Sequence, residues 1–297
     1  MDKVLEMLKG WDASHVLALI NQVGGREIAF DIAAGRKKVV VEDVIQFYFD
    51  QSGRAIPLPG MNGITDVKRS FYFSQPRTFN YSAIITNLQE LFGPNFRFIS
   101  ADEFEKKCIA LARWIKDNPL ISNILKGPHF PFVIPQLVGD CGQQLDDVII
   151  PVLELSYQAH FPKRMFTNFY HGDLAKKVTV VDGTRQERLV KAMALGSACG
   201  WYFPEALQGF GIETSRELIS YLPEELILSG MEVPIVVATF PDVFIRNCKT
   251  PSLEMAALLW KFPRYPLGFM TFEGEAHFGV ANFDELSNCT GGLSILG

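Results

Sequence analysis

Residues 166–184, FTNFYHGDLAKKVTVVDGT, set His171, Gly172 and Asp173 ahead of two lysines and a short apolar run. Phosphoryl transfer on an HGD loop needs the aspartate as base, a metal-holding asparagine five residues on and a second metal-binding aspartate after a strand. Position 178 is Val178 instead, Asp182 follows too soon to be the second aspartate, and no glycine-rich loop paired with a strand lysine stands upstream. The competing reading is a turn in which Asp173 bonds locally before a strand at 178–182.

A second candidate is Cys141 in VGDCGQQLDDV, placed where a helix should begin. A helix start favours a thiolate, and a nucleophile needs a lowered pKa or an adjacent base such as His129, His160 or His171. Asp140 next to it works against the thiolate. A thiol-dependent transferase or hydrolase would use Cys141, or His171 with Asp173. The carboxylates Asp140, Asp146, Asp147 and Glu154 read as a solvated helix start, since Glu154 is followed by Gln158 rather than by a ligating histidine. No metal site and no cofactor are expected.

The third kind of chemistry is recognition. Lys68, Arg69, Phe71, Tyr72, Phe73, Arg77, Phe79 and Tyr81 mix cations with aromatic rings, as single-stranded nucleic-acid binders do, and GRKK at 35–38 adds three cations. The alternative places Phe71 and Phe73 on the core side of a strand with the cations wet. The formal net charge of −5 and a pI near 5.6 disfavour dedicated polyanion binding.

Positioning these side chains requires a core, and 297 residues with 48% hydrophobic and 21% charged content bury one readily in one or two domains. Uncharged windows at 127–139 and 192–204 fall short of a membrane span, so no membrane association is expected. The charged N-terminal residues do not read as a secretory signal. Five scattered cysteines without a CxxC pair fit reduced thiols and a cytoplasmic location.

The chain reads as an α/β or α+β fold: a helical N-terminal unit over 1–51, a Pro/Gly-rich linker over 52–66, and a mixed body over 67–297 closing with a β-hairpin. In the first unit, Asp12 is placed to cap a helix with Val16, Leu19, Ile20 and Val23 on one face, Gly24-Gly25 ends it, and REIAFDIAAG follows as a second helix. Periodicity does not choose between strand and helix for 38–50. In the body, KRSFYFSQ reads as a strand and YSAIITNLQELF as a helix ending at Gly93. Residues 101–117 read as a helix opened by a Ser100/Glu103 capping box, with Phe104, Cys108, Leu111 and Ile115 inside. HFPFVIPQ is extended, and a helix runs through Pro151 to about Phe161. KVTVV is a strand, and a helix opened by Thr184/Glu187 runs on through GSACG. Short helices are expected at PEALQGF and TSRELISYL. EVPIVVATF reads as a buried strand, SLEMAALLWKF as a helix, and LGFMTFEGEAHFGVANF as a hairpin turning at Glu273–Glu275.

The segments WDASHVLALINQVGG, VIIPVLELSYQAHFPKRMFTNFYHGDLAKKVTV, GWYFPEALQGFGI and TPSLEMAALLW resemble a group of hypothetical proteins from small-genome candidate-phyla bacteria. That resemblance implies a bacterial cytoplasmic protein and carries over no site residue. The leading expectation is a non-catalytic binding or interaction protein of unknown partner, ahead of the thiol enzyme and the single-stranded nucleic-acid binder.

Overall fold

The computed structural model describes residues 13–38, 47–67, 70–247, 249–261, 266–272, 275–280 and 289–297. Asp12, residues 39–46, Lys68, Arg69, Cys248, and Glu273 and Gly274, where a turn is expected, lie outside the described residues. The fold is α+β. Two compact units are distinguished, Met1–Ile45 and Gln46–Gly297.

In the first unit, α1 (Ala13–Gln22) and α2 (Arg26–Ala33) are separated at Gly24 and Gly25, whose φ angles of 98° and 95° suit glycine. Val16 and Leu19, expected on an apolar face, stay 41% and 45% exposed. Of the GRKK cations, Arg36 and Lys37 both pair with Asp31, at 2.8 and 3.2 Å.

The segment 52–66 is tied into the second unit by long-range bonds. Ala55 N donates to the Ala206 carbonyl at 2.8 Å, and Arg54 donates to the carbonyls of Gln208 and Thr65 at 2.7 and 2.8 Å. Two helices follow for local reasons. Asn80 caps α3 (Tyr81–Phe92), which ends at Gly93, and Ser100 caps α4 (Ala101–Asp117) through the Glu103 amide at 3.2 Å. α4 buries Phe104, Cys108 and Ile115 as its spacing predicts.

After β1 (Phe130–Ile134), the helix through Pro151 is built in three pieces: α5 (Cys141–Gln144), a π-turn over Leu145–Ile149, and α6 (Ile150–His160). The π-turn puts Pro151 in the first turn of a new helix, where its missing N–H costs little. Then come β2 (Phe166–Asn168), β3 (Val178–Val180), α7 (Glu187–Leu195), β4 (Ala198–Phe203), α8 (Ile212–Leu218) and β5 (Leu226–Leu228). The remainder is α9 (Val233–Thr239), α10 (Pro241–Phe244), β6 (Ser252–Glu254), β7 (Leu258–Trp260), β8 (Leu267–Phe272), β9 (Glu275–Val280), β10 (Cys289–Thr290) and β11 (Leu293–Leu296).

An antiparallel sheet runs β1-β4-β11-β5, a mixed sheet runs β10-β6-β8-β9-β2, and β3 pairs with β7. The β8–β9 hairpin forms, but two further strands follow it, and β11 slots between β4 and β5 at the centre of the first sheet. Its fit depends on Gly200, where a Cβ would stand 1.9 Å from the Ile295 carbonyl oxygen. α4 packs on one face of this sheet, where Trp201 Nε1 donates to the Cys108 carbonyl at 2.9 Å. Phe130 and Tyr202, pointing to the other face, meet Phe240 and Phe244 at the end of α9 and in α10.

Several expectations are corrected. EVPIVVATF is the helix α9, with Pro234 in its first turn, and SLEMAALLWKF holds two strands, β6 and β7. Residues 70–79 form no strand: the Phe73 amide donates to Glu205 and the Phe71 carbonyl accepts from Gln208, so these groups are met by side chains instead of a ladder. Phe73 is buried, Phe71 half-buried and Tyr72 48% exposed. PEALQGF forms turns, and ACGWYF at the end of the expected GSACG helix is the strand β4. Thr184 does not cap α7; its hydroxyl donates to the Val181 carbonyl at 2.6 Å.

Candidate functional site

Along α3, Asn80, Ala83, Ile84, Asn87 and Leu91 recur every three or four residues and face one groove. Ile84, Leu88 and Phe92 turn the helix toward the core, so the exposed edge of that apolar stripe becomes a wall. The opposite wall is where α6 and α9 both end, joined by Ser156 Oγ donating to the Ala238 carbonyl at 2.6 Å. The groove has a volume of about 540 Å³, in the range of small-molecule sites.

Aromatic rings form its floor. Phe79 lies 5.8 Å from Phe240 and 5.7 Å from Trp201, edge to face in both pairs, and Phe240 lies 5.4 Å from Phe130. Phe79 and Phe240 are half-buried and present surface to the groove, whereas Trp201 and Phe130 are buried beneath. The rim carries the exposed side chains Glu90, His160 and Asp242, and no lysine or arginine stands among the described lining residues.

The segment 71–79 runs into this groove at Pro76, Thr78 and Phe79. Side chains from the body hold it: Phe73 N donates to Glu205 Oε1 at 2.7 Å, Arg246 Nη1 to Ser74 Oγ at 3.2 Å, and His129 N to Gln75 Oε1 at 2.7 Å. Burial pushes the Glu205 carboxyl up to about 7, while the Phe73 amide pulls it back. Burial also lowers His129, against the raising effect of its bond to the Gly127 carbonyl. Phe79 was named from sequence among the mixed cations and aromatic rings of 68–81. Glu205, Phe240 and the α3 stripe carried no signal, because a groove-lining apolar residue has the same local pattern as a core one.

The residues singled out for catalysis fall elsewhere, at a loop beside the start of α5. Asp146, expected to be solvated, is buried and accepts from the amides of Gly172, Leu174 and Ala175 at 3.1, 2.7 and 3.2 Å. Asp140 accepts from the amides of Gln143 and Lys176, both at 2.8 Å. Gly142 lets the two segments touch, since a Cβ there would stand 1.9 Å from the Leu174 carbonyl oxygen. The HGD loop and the Cys141 helix start are thus neighbours, although 30 residues separate them in sequence.

Their electrostatics disfavour a thiolate and favour an ionised Asp173. Burial first, then the Asp140 charge, push the half-buried Cys141 thiol up, so it is held as a thiol. Both Asp173 oxygens are engaged by lysines, Lys177 on Oδ1 and Lys261 on Oδ2 at 2.7 Å, and these bonds hold its carboxyl below the ordinary range. His171 is exposed. Of the recognition residues, Arg77 is exposed and Tyr72 lies under the Arg246 guanidinium at 5.4 Å.

The interior of the second unit carries a further acidic centre. Glu232 is fully buried and accepts from Gln186 Nε2, Gly230 N and Ser294 Oγ at 3.0, 3.1 and 2.7 Å. Burial raises its carboxyl, with those hydrogen bonds pulling the other way. Burial pushes Glu254 up to about 8 against the Arg216 charge. The Tyr202 phenol is raised well above its usual value, by burial first and then by both carboxyls. Among the described residues no three His, Cys, Asp or Glu side chains cluster in a metal-ligating group, and no helix is long and apolar enough to cross a membrane. No family model matches the chain, and neither does a curated protein or a solved structure.

Proposed function

We propose that this chain is a non-catalytic cytoplasmic binding protein and that its ligand docks in the groove between α3 and the ends of α6 and α9. The observation that supports this is the aromatic floor: Phe79 and Phe240 keep ring surface open beside a cavity of about 540 Å³. Apolar surface held open in a concave site is available for a ligand to cover.

The test is substitution of Ala83→Trp, which places an indole in the groove from an exposed position of α3. Small aromatic fragments are expected to shift amide signals of residues 80–91 and 239–243 in the parent protein, and to lose that effect in the variant while its thermal transition stays in place. Fragments that bind both proteins alike would overturn the assignment.

A second reading keeps a thiol enzyme at Cys141 with His171 and Asp173. Its support is the contact between the HGD loop and the start of α5. The raised thiol and the doubly engaged Asp173 favour the binding-protein reading.

A further inference from the structure

We infer that the groove takes a small organic cation, an amine or quaternary ammonium carried on an apolar body; this deepens the binding-protein reading and rests on it. Three features of the groove agree on the charge of its occupant. The rim carboxylates Glu90 and Asp242 stand with no lysine or arginine among the described lining residues. Both α6 and α9 end here, at Ala159–His160 and Ala238–Thr239, and the C-terminus of the longer helix α6 puts partial negative charge on this wall, whereas the α9 end is partly answered by Ser156 Oγ on the Ala238 carbonyl and by the start of α10. The half-buried Phe79 and Phe240 rings present π surface, to which a cation binds and an anion does not.

The opposing features are smaller. α3 begins at the groove, but the Asn80 side chain already takes the Ala83 amide at 2.9 Å and so answers part of that positive end. His160 is exposed on the rim. The apolar body of the ligand is needed because the rim carboxylates are exposed and contribute little alone. Burial of a hydrocarbon or aromatic group against Ile84, Leu91 and Val243 supplies the remainder.

The experiment compares three probes that share a benzyl body on the full chain: benzyltrimethylammonium, its neutral isostere 2,2-dimethylpropylbenzene, and the anion 3-phenylpropanoate. Binding is followed by amide shifts of residues 80–91 and 239–243. The cation is expected to bind about tenfold more tightly than the neutral isostere at low salt. That advantage should shrink at high salt and in the double variant Glu90→Gln, Asp242→Asn. Equal affinity for the cation and the isostere overturns the inference while leaving the groove as a binding site. No groove shift with any of the three overturns the binding-protein reading itself. The parent protein alone decides between these outcomes, so the comparison survives a double variant that fails to fold.

Discussion

Asp173 stands at the surface with each carboxylate oxygen on a lysine ammonium, whereas Glu254 stands inside the second unit with the Arg216 charge set against the cost of its burial. One carboxyl is held below the ordinary range and the other is pushed up to about 8. The difference lies in water. At the surface, ion pairing favours the charged form at little desolvation cost, while in the interior the loss of hydration outweighs one neighbouring cation. The residue whose motif pointed to catalysis is therefore a solvated ion pair, and the strongly perturbed groups sit where sequence gave no signal.

The largest effect that would sharpen this contrast is at Glu232. Glu232→Ala strands the Gln186 amide, the Gly230 N–H and the Ser294 hydroxyl in the interior, and a loss of about 3–5 kcal/mol is expected in urea melts. A loss under about 1 kcal/mol would show that the interior network is dispensable.

The pH dependence comes next. Glu254 has a folded pKa of about 8 against an ordinary 4.5, so its stability contribution is fully present below 4.5 and is lost as pH rises through 8. Glu205, raised to about 7, acts in the same direction within that window. Each such carboxyl contributes a slope of up to about 1.4 kcal/mol per pH unit. Glu254→Gln should flatten the fall in stability measured between those limits. An unchanged slope would break the assignment of Glu254 as a neutral acid at low pH. The sign at Asp173 is opposite, with stabilisation present above its ordinary pKa and lost as pH falls.

The smallest effect is at the surface centre itself. Asp173→Asn should leave the thermal midpoint at neutral pH within error, because exposed ion pairs contribute little. A clear drop in the midpoint would mean that the two lysines are structural and that the contrast with Glu254 is one of degree.

What was legible along the chain follows the range of the interactions involved. α4 could be read because Ser100, Glu103 and the Phe104, Cys108, Ile115 face all lie within 17 residues of one another. Residues 233–239 misled because an uncharged run of valine and isoleucine suits a strand buried on both faces as well as it suits a helix buried all round, and Pro234 at a helix start decides for the helix. Residues 252–260 misled the other way. Their Leu, Met and Ala content favours helix, but Leu253 pairs with Phe269 and Leu258–Trp260 pair with Val178–Val180. Those partners lie up to 82 residues away, and the ladder they offer outweighs a preference of a few tenths of a kcal/mol per residue.

The candidate sites divide in the same way. The residues of the HGD loop and the Cys141 helix start were named from sequence, and Asp140 was seen to oppose the thiolate because that effect is local. Whether the loop touched the helix start was decided by Asp146 and Gly142, whose roles depend on Leu174 being folded against them. The groove was not visible, since its α3 stripe, Phe79 and Phe240 become neighbours only when three separate segments pack. By itself the sequence determined a mixed class of helices and strands, α/β or α+β, the α4 helix with its Ser100 cap and the chemistry each loop has to offer, all of which depend on neighbours within a few turns. Only the tertiary structure decided which apolar faces were left open and which carboxyls were kept from water, because burial is set by contacts between residues far apart in the chain.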